Sequence, residues 1–207
     1  MRMNKSDKST LIVQLSGGLG NQLFEYVAGL WFAQRNDLQL KVDLSQLENN
    51  NQSHGLTLKS AGLAAEYCNL VEELSLPGYF LHRGVVFTQR KFPQLARRFP
   101  AFAKVYSSPR IGHDPQLEVL TEARFLRGYF QSWKYLAEVR KVGIDLKLGT
   151  DSATNWFVSA KSELEDLKPI VIHVRRGDYL LQGDDWGVLG LDYYRQALET
   201  LGAGPAT

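Results

Sequence analysis

The sequence predicts an α/β protein built on a doubly wound parallel sheet. Three observations carry this expectation. An apolar run, Thr10–Leu15, runs straight into the glycine-rich turn Ser16-Gly17-Gly18-Leu19-Gly20-Asn21. Beyond the turn, Leu23, Val27, Leu30 and Trp31 recur at helical spacing, with Phe24 beside them. A second apolar run, Leu38–Val42, then ends at Asp43. Strand, glycine turn, helix and strand make a βαβ opening, and such a crossover joins parallel strands.

The elements follow in order. Thr10–Leu15 is the first strand, and Ser16 or Asn21 can cap the helix that follows it. Leu38–Val42 is the second strand. The polar stretch Asn49–Ser53 reads as a loop. Helices are predicted over Lys59–Cys68 and Pro93–Phe102, and a strand over Val85–Thr88. Arg124–Phe130 reads as a further strand. Trp133–Val142 reads as a helix with Tyr135, Leu136 and Val139 on one side. An amphipathic helix covers Thr154–Leu167, and Pro169 ends it. Pro169–Val174 is predicted as a buried strand, and Asp192–Leu201 as a helix with Tyr193, Tyr194, Ala197 and Leu198 inward. No internal repeat is visible.

With 44% hydrophobic and 22% charged residues the composition is that of an ordinary globular chain. A net charge of +2 excludes an overwhelmingly basic nucleic-acid binder. The local run Arg90, Lys91, Arg97, Arg98, Lys104 and Arg110 reads either as a solvated face or as an anion contact. The one cysteine, Cys68, cannot form an intramolecular disulfide and reads as a small core residue. His54, His82, His113 and His173 lack metal-ligand spacing, so no metal site is expected. No apolar stretch approaches the ~20 residues of a membrane span. The polar start Met1–Thr10 does not resemble a signal peptide, and a cytoplasmic, bacterial setting is the expectation.

Chemistry concentrates in two places. The first is the glycine turn. Gly18 and Gly20 match the opening of a dinucleotide fingerprint, whose third glycine position is Leu23 here, and Asp43 stands about 20 residues on, where a ribose-binding acid would be. The turn reads equally as a structural corner or as a ligand loop that lets backbone N–H groups approach an anion. Asn21 and Gln22 add two amides at the helix start. Asn21 reads as a cap or as a contact to hydroxyl or phosphate.

The second is Ile172-His173-Val174-Arg175-Arg176-Gly177-Asp178-Tyr179. Two permanently charged guanidiniums at the mouth of a strand can hold a diphosphate and stabilise it as it leaves. The alternative is a structural ion pair with Asp178, Asp184 or Asp185. Asp178 either orients an arginine or takes a proton from an acceptor hydroxyl. His173 reads as a core histidine or as a ligand contact.

Four motifs stand in order: Ser16–Gln22, Asp43-Leu44-Ser45, Gly128-Tyr129-Phe130-Gln131-Ser132-Trp133-Lys134-Tyr135, and His173–Tyr179. Together they resemble the α-1,2-fucosyltransferases of glycosyltransferase family 11. The His-x-Arg-Arg-x-Asp element also resembles that of the wider fucosyltransferase superfamily. The resemblance implies a GT-B-like enzyme with two Rossmann-like domains. It implies inverting, metal-independent transfer of L-fucose from GDP-fucose to the 2-hydroxyl of a terminal galactoside, with no cofactor. Catalytic roles would fall to Arg175, Arg176 and Asp178. Donor contacts would come from His173, Arg175, Arg176, Gly18, Gly20, Asn21 and Gln22.

Members of that family continue past the last of these motifs, with a strand ending in Ser-Asp-Asp and a Ser-Phe-Ser-Trp-Trp-Gly-Ala element, and neither occurs in this sequence. The expected organisation is therefore an acceptor-side Rossmann-like domain over residues 1–168 and the first βα unit of a donor domain over residues 169–207. Weak donor binding and little turnover by this chain alone are expected. The expected partners are GDP-fucose and a galactoside in a surface glycan or oligosaccharide. Nucleic acid is not among them, and with no spanning segment any membrane association would be peripheral, at the inner face. Two rival readings are a dinucleotide-dependent oxidoreductase, resting on Gly18, Gly20 and Asp43, and a non-catalytic carbohydrate- or nucleotide-binding remnant of such a transferase.

Overall fold

The structure, a computed structural model, describes residues 9–50, 57–70, 82–88, 104–143, 155–167, 169–174 and 188–202, together with Glu73 and Lys91. The chain divides into two compact units, Met1–Ser152 and Ala153–Thr207. The first unit is built on five parallel strands: β1 (Thr10–Gln14), β2 (Gln39–Asp43), β3 (Tyr67–Cys68), β4 (Val105–Ser107) and β5 (Phe125–Arg127). Their order across the sheet is β3-β2-β1-β5-β4. The chain therefore steps outward from β1 to one edge, crosses to the other edge and returns beside β1. That reversal makes the C-terminal ends of β1 and β5 a topological switch point, where open α/β sheets leave a crevice.

Both faces of the sheet are buried, as a parallel sheet requires. Side chains alternate along β1. Leu11, Val13 and Leu15 join the larger core with Leu126, Val42, Phe32 and Tyr135. Ile12 turns to the other face and packs with Phe125, Val105, Leu70 and Val85. Helix α1 (Leu19–Arg35) covers the first face. It lies against the later helix Trp133–Lys141 through Trp31 and Tyr135, whose rings are 5.2 Å apart.

The βαβ opening, the helix Trp133–Lys141 and the helix Asn155–Leu167 agree with the sequence pattern. Several expectations do not. The stripe of α1 that is buried is Gln22, Glu25, Tyr26, Val27, Ala28, Gly29, Phe32 and Ala33. Leu23, Leu30 and Trp31 pack on its rim, and Phe24 is exposed. Residues 58–62 form a turn and Tyr67–Cys68 a strand, in place of a helix over Lys59–Cys68. Residues 82–88 are helical, in place of a strand over Val85–Thr88. A helix, α2 (Ser45–Asn50), takes in the first two residues of the expected loop Asn49–Ser53. The helix expected over Pro93–Phe102 lies outside the described residues.

The strand expected over Arg124–Phe130 stops at Arg127. The left-handed backbone of Gly128 (φ 147°) and Phe130 (φ 47°) turns the chain out of the sheet. A short helix α3 (Gln116–Val119) precedes β5, and α4 (Trp133–Lys141) follows the turn.

The second unit holds α5 (Asn155–Leu167) and α6 (Leu191–Thr200). Between them Pro169–Val174 is not a buried strand. It pairs with no described strand and its side chains are exposed, Val171 at 74%. A strand needs a neighbour to satisfy its backbone, and one βα unit provides none. On α6, Tyr194, Ala197 and Leu198 are half-buried, but Tyr193, expected inward, is exposed. Among the described residues no helix is long and apolar enough to cross a membrane.

Candidate active site at the switch point

The glycine turn closes β1 and opens α1, and α1's own side chains reach back to hold it. Gln22 is fully buried. Its Nε2 donates to the Gly17 carbonyl at 2.9 Å, and its Oε1 accepts from the Leu58 backbone N–H at 3.0 Å. Glu25, 1% exposed, accepts the Ser16 N–H on Oε2 at 2.7 Å and the Ser16 hydroxyl on Oε1 at 2.5 Å. Burial pushes the Glu25 carboxyl up from 4.5 to about 8, against the opposing pull of the Ser16 hydrogen bonds and the Arg127 charge. Ser16 therefore serves Glu25 and does not cap the helix. The N-cap is Gly18, and it offers no side-chain hydrogen bond. The first turn of α1 also lacks an acidic residue. Among the described residues no side chain caps its first N–H groups, and with the positive end of the helix dipole they can meet an external anion.

The glycines divide by task. Gly17 has φ 67°, and a Cβ there would lie 2.7 Å from Asn21 Nδ2. Gly18 and Gly20 meet nothing within 4 Å where a Cβ would sit. Gly17 is required by the backbone, whereas Gly18 and Gly20 leave open space beside the helix N-terminus. Gly17→Ala is expected to cost about 1–2 kcal/mol, the penalty of a left-handed L-residue, seen as a lower melting temperature by circular dichroism. Gly20→Ala is expected to melt like the parent, so any fall in its activity reports a ligand passing close to the backbone.

Asn21 lies inside α1 and is not its cap. Its Oδ1 accepts from Gln131 Nε2 at 2.8 Å, which ties the turn after β1 to the turn after β5. Gln131 reaches that position because of the strained turn before it. Fully buried Phe130 fixes the bend, Gln131 N–H donates to the Ile111 carbonyl at 2.7 Å, and Ser132 caps α4 by accepting from Lys134 N–H. The third wall is the loop after β4. Buried Asp114 gathers it by accepting the hydroxyls of Tyr106 and Ser108, each at 2.6 Å, while its own N–H donates to Tyr135 Oη at 2.9 Å. Tyr129 and Trp133 project exposed rings from the β5 turn.

Asp43 is not a ribose-binding acid. It is fully buried, and its carboxylate accepts four hydrogen bonds: from Gln14 Nε2 (3.0 Å), Ser45 N–H (3.1 Å), Ser45 Oγ–H (2.8 Å) and Leu70 N–H (3.0 Å). It knots the ends of β1, β2 and β3, and the acid that the dinucleotide reading requires is spent within the fold. Gln22 likewise stands inside the fold, engaged at both ends of its amide, and not at the surface where a donor would meet it. Cys68 is half-buried; burial first, then the Asp43 carboxylate, pushes its thiol up to about 12, so it is no nucleophile.

Of the expected site residues, the structure brings Gly18, Gly20 and Asn21 together at the switch point. His173 lies in the second unit, in coil and exposed, which removes its reading as a core histidine. Arg175, Arg176 and Asp178 lie outside the described residues. Among the described residues no cluster of three His, Cys, Asp or Glu side chains is placed to hold a metal.

No protein-family model and no solved structure matches the chain. Among curated proteins it is 24% identical, over 201 residues, to an α-1,2-colitosyltransferase of Escherichia coli. The similarity is to a glycosyltransferase. It covers 93% of this chain and 63% of the relative, so the chain spans less than two thirds of that protein's length. The likeness supports glycosyl transfer as the general class of activity.

Four positions of the site were not singled out from the sequence: Glu25, Asp114, Arg127 and Gln131. Gln131 had a signal, since it stands within the Gly128–Tyr135 motif. Glu25 had a weaker one, three residues after Gln22 on the same helical face. Asp114 and Arg127 had none.

Proposed function

We propose that the chain is the acceptor-side Rossmann-like unit and the beginning of the donor-side unit of a GT-B-like, metal-independent glycosyltransferase. The reaction is transfer of L-fucose from GDP-fucose to the 2-hydroxyl of a terminal galactoside, with inversion. The acceptor oxygen attacks the anomeric carbon from the face opposite the diphosphate. The bond to the diphosphate breaks, its electron pair leaves with GDP, and the acceptor proton passes to a base, for which Asp178 is the candidate. Arg175 and Arg176 offset the charge that grows on the leaving group, the task a divalent ion performs in other transferases. His173 completes the donor pocket.

The observation that carries this reading is the turn at Ser16–Asn21. Its backbone is braced from behind by Gln22 and Glu25, and its outer side is open at Gly18 and Gly20. A turn so braced presents helix N–H groups to an anion without reorganising. The exposed rings of Tyr129 and Trp133 beside it offer apolar faces suited to a sugar ring.

The test is single-turnover transfer, with protein in excess over GDP-fucose and a terminal galactoside as acceptor. The expected product, formed slowly by this chain alone, is a fucose linked to O2 of galactose, in equal amount with and without EDTA. The similarity to a colitosyltransferase makes a colitosyl nucleotide the second donor to run in the same assay. Arg176→Ala is expected to lower the rate by a factor of roughly a hundred or more, the usual cost of losing one charge contact to a developing anion. An unchanged rate in that variant refutes the diphosphate clamp. Galactoside binding with no donor consumed would favour the non-catalytic reading.

A further inference from the structure

The C-terminal edge of the sheet carries a polar row that the proposed reaction does not yet use. Parallel registers place Ser107 beside Arg127 and Gln14 beside Asp43. Ile12 pairs with Phe125 and Val13 with Leu126, so the same register sets Gln14 next to Arg127. Ser107, Arg127, Gln14 and Asp43 thus follow one another across four strands, and in a parallel ladder laterally paired residues share a face. It is the face of Ile12 and Phe125, where the His82 ring stands 4.2 Å from Phe125.

One end of the row is saturated and the other is not. Asp43 accepts four hydrogen bonds. Gln14 gives its Nε2 to Asp43, and its Oε1 accepts nothing among the described residues, although Gln14 is only 8% exposed. Arg127, a half-buried residue, makes no side-chain hydrogen bond or ion pair to a described residue, and neither does the Ser107 hydroxyl. The carboxyls whose fields overlap with that of Arg127 are Glu25 and, across Gln14, Asp43. They are held by Ser16, Gln14, Ser45 and Leu70 and form no ion pair with it among the described residues. A partly buried guanidinium without such a pair is costly unless a ligand completes it. Because the register sets Gln14 next to Arg127, Gln14 Oε1 is an acceptor that one guanidinium N–H can turn to when a ligand binds, which would leave the remaining N–H groups and the Ser107 hydroxyl for an incoming group.

We propose that Arg127, oriented by Gln14 and joined by Ser107, forms a subsite for an oxyanion of the substrate at the switch point of the first unit. This rests on the glycosyl-transfer reading and adds to it a charged group that the site recognises. The oxyanion comes from one of two sources, the diphosphate of the nucleotide donor or a carboxylate on an acidic acceptor sugar.

The experiment is calorimetric titration of the whole chain with pyrophosphate, with glucuronic acid and with a neutral galactoside. It is run on the parent, Arg127→Gln and Arg127→Lys, each first shown to melt like the parent. In Arg127→Gln, affinity for one of the two anions is expected to fall by about ten- to a hundredfold, as for a lost charge-assisted pair. The neutral galactoside is expected to bind unchanged, and lysine to restore only part of the loss, because the bidentate fork is gone. A loss confined to pyrophosphate assigns the subsite to the donor, and one confined to glucuronic acid assigns it to the acceptor. Parent-like affinity for both anions in Arg127→Gln, or no binding of either by the parent, overturns the proposal. Fucosyl transfer to the neutral galactoside that persists unchanged in Arg127→Gln sinks the donor assignment of this subsite and leaves the transferase reading standing. Arg127-dependent anion binding without any transfer does the reverse.

Discussion

Asp43→Ala is expected to lower the stability of the first unit by about 4 kcal/mol or more, because each buried donor left without its acceptor costs about 1–3 kcal/mol. Four such donors lose their acceptor at once: Gln14 Nε2, Ser45 N–H, Ser45 Oγ–H and Leu70 N–H. They belong to three different segments, so the loss frees the ends of β1, β2 and β3 together. Asp43→Asn is the informative partner. If the asparagine carbonyl takes the place of Oδ1, it keeps both backbone donors. The amide then faces Gln14, whose side chain can turn over and present its unused Oε1, while the Ser45 hydroxyl rotates to accept. The expected cost of asparagine is therefore about 1–2 kcal/mol. Urea unfolding followed by tryptophan fluorescence measures both. Equal, small losses in the two variants would show that the carboxylate does not knot the strands.

Stability is expected to fall as pH rises, and Glu25 is the reason. In the unfolded chain its carboxyl titrates near 4.5, whereas in the fold burial moves it to about 8. Between those values the folded protein holds a proton that the unfolded chain has lost. Raising the pH therefore favours unfolding across that window, and the effect levels off above it. Each unit of pKa displacement corresponds to about 1.4 kcal/mol, so the decline amounts to a few kcal/mol. Glu25→Gln keeps an acceptor for the Ser16 N–H and supplies a donor for its hydroxyl, with no charge to bury. The variant is expected to match the parent near pH 5 and to exceed it by a few kcal/mol at pH 9, measured by urea unfolding at pH 5, 7 and 9. Stability curves of the two proteins that stay parallel across that range would refute the assignment.

What the sequence revealed, and what it concealed, follows from the kind of signal each residue carries. The βαβ opening was legible because its two apolar runs, its glycine turn and the helical spacing between them are long and mutually consistent. Residues 57–88 were not. Val85, Val86 and Phe87 carry strong β preference, yet they lie in a helix that buries Val85 alone among them. Over so short a run, packing outweighs propensity. The buried stripe of α1 was misplaced because two of its members are polar. Gln22 and Glu25 are inside only because Gly17, Leu58 and Ser16 supply partners, and partners brought in by the fold have no sequence period. Asp43 illustrates the same limit at the site. Its distance from the glycine turn fits a ribose contact, but its place in the β1–β2 register turns it inward to Gln14. The turn reads from the sequence equally as a structural corner or a ligand loop, and the glycine its backbone requires is Gly17, which stands just ahead of the pair that fits the fingerprint.

The two outer strands of the sheet are very short: β3 has two residues and β4 three. Few main-chain groups are therefore left along either rim for another polypeptide to dock on, a common safeguard against fibril-like growth. The segment Ile170–Val174 has no such protection, being largely β-branched and open to solvent. Concentrated solutions of this chain should begin to clump there, through strands added one molecule to the next, while the parallel sheet stays a spectator.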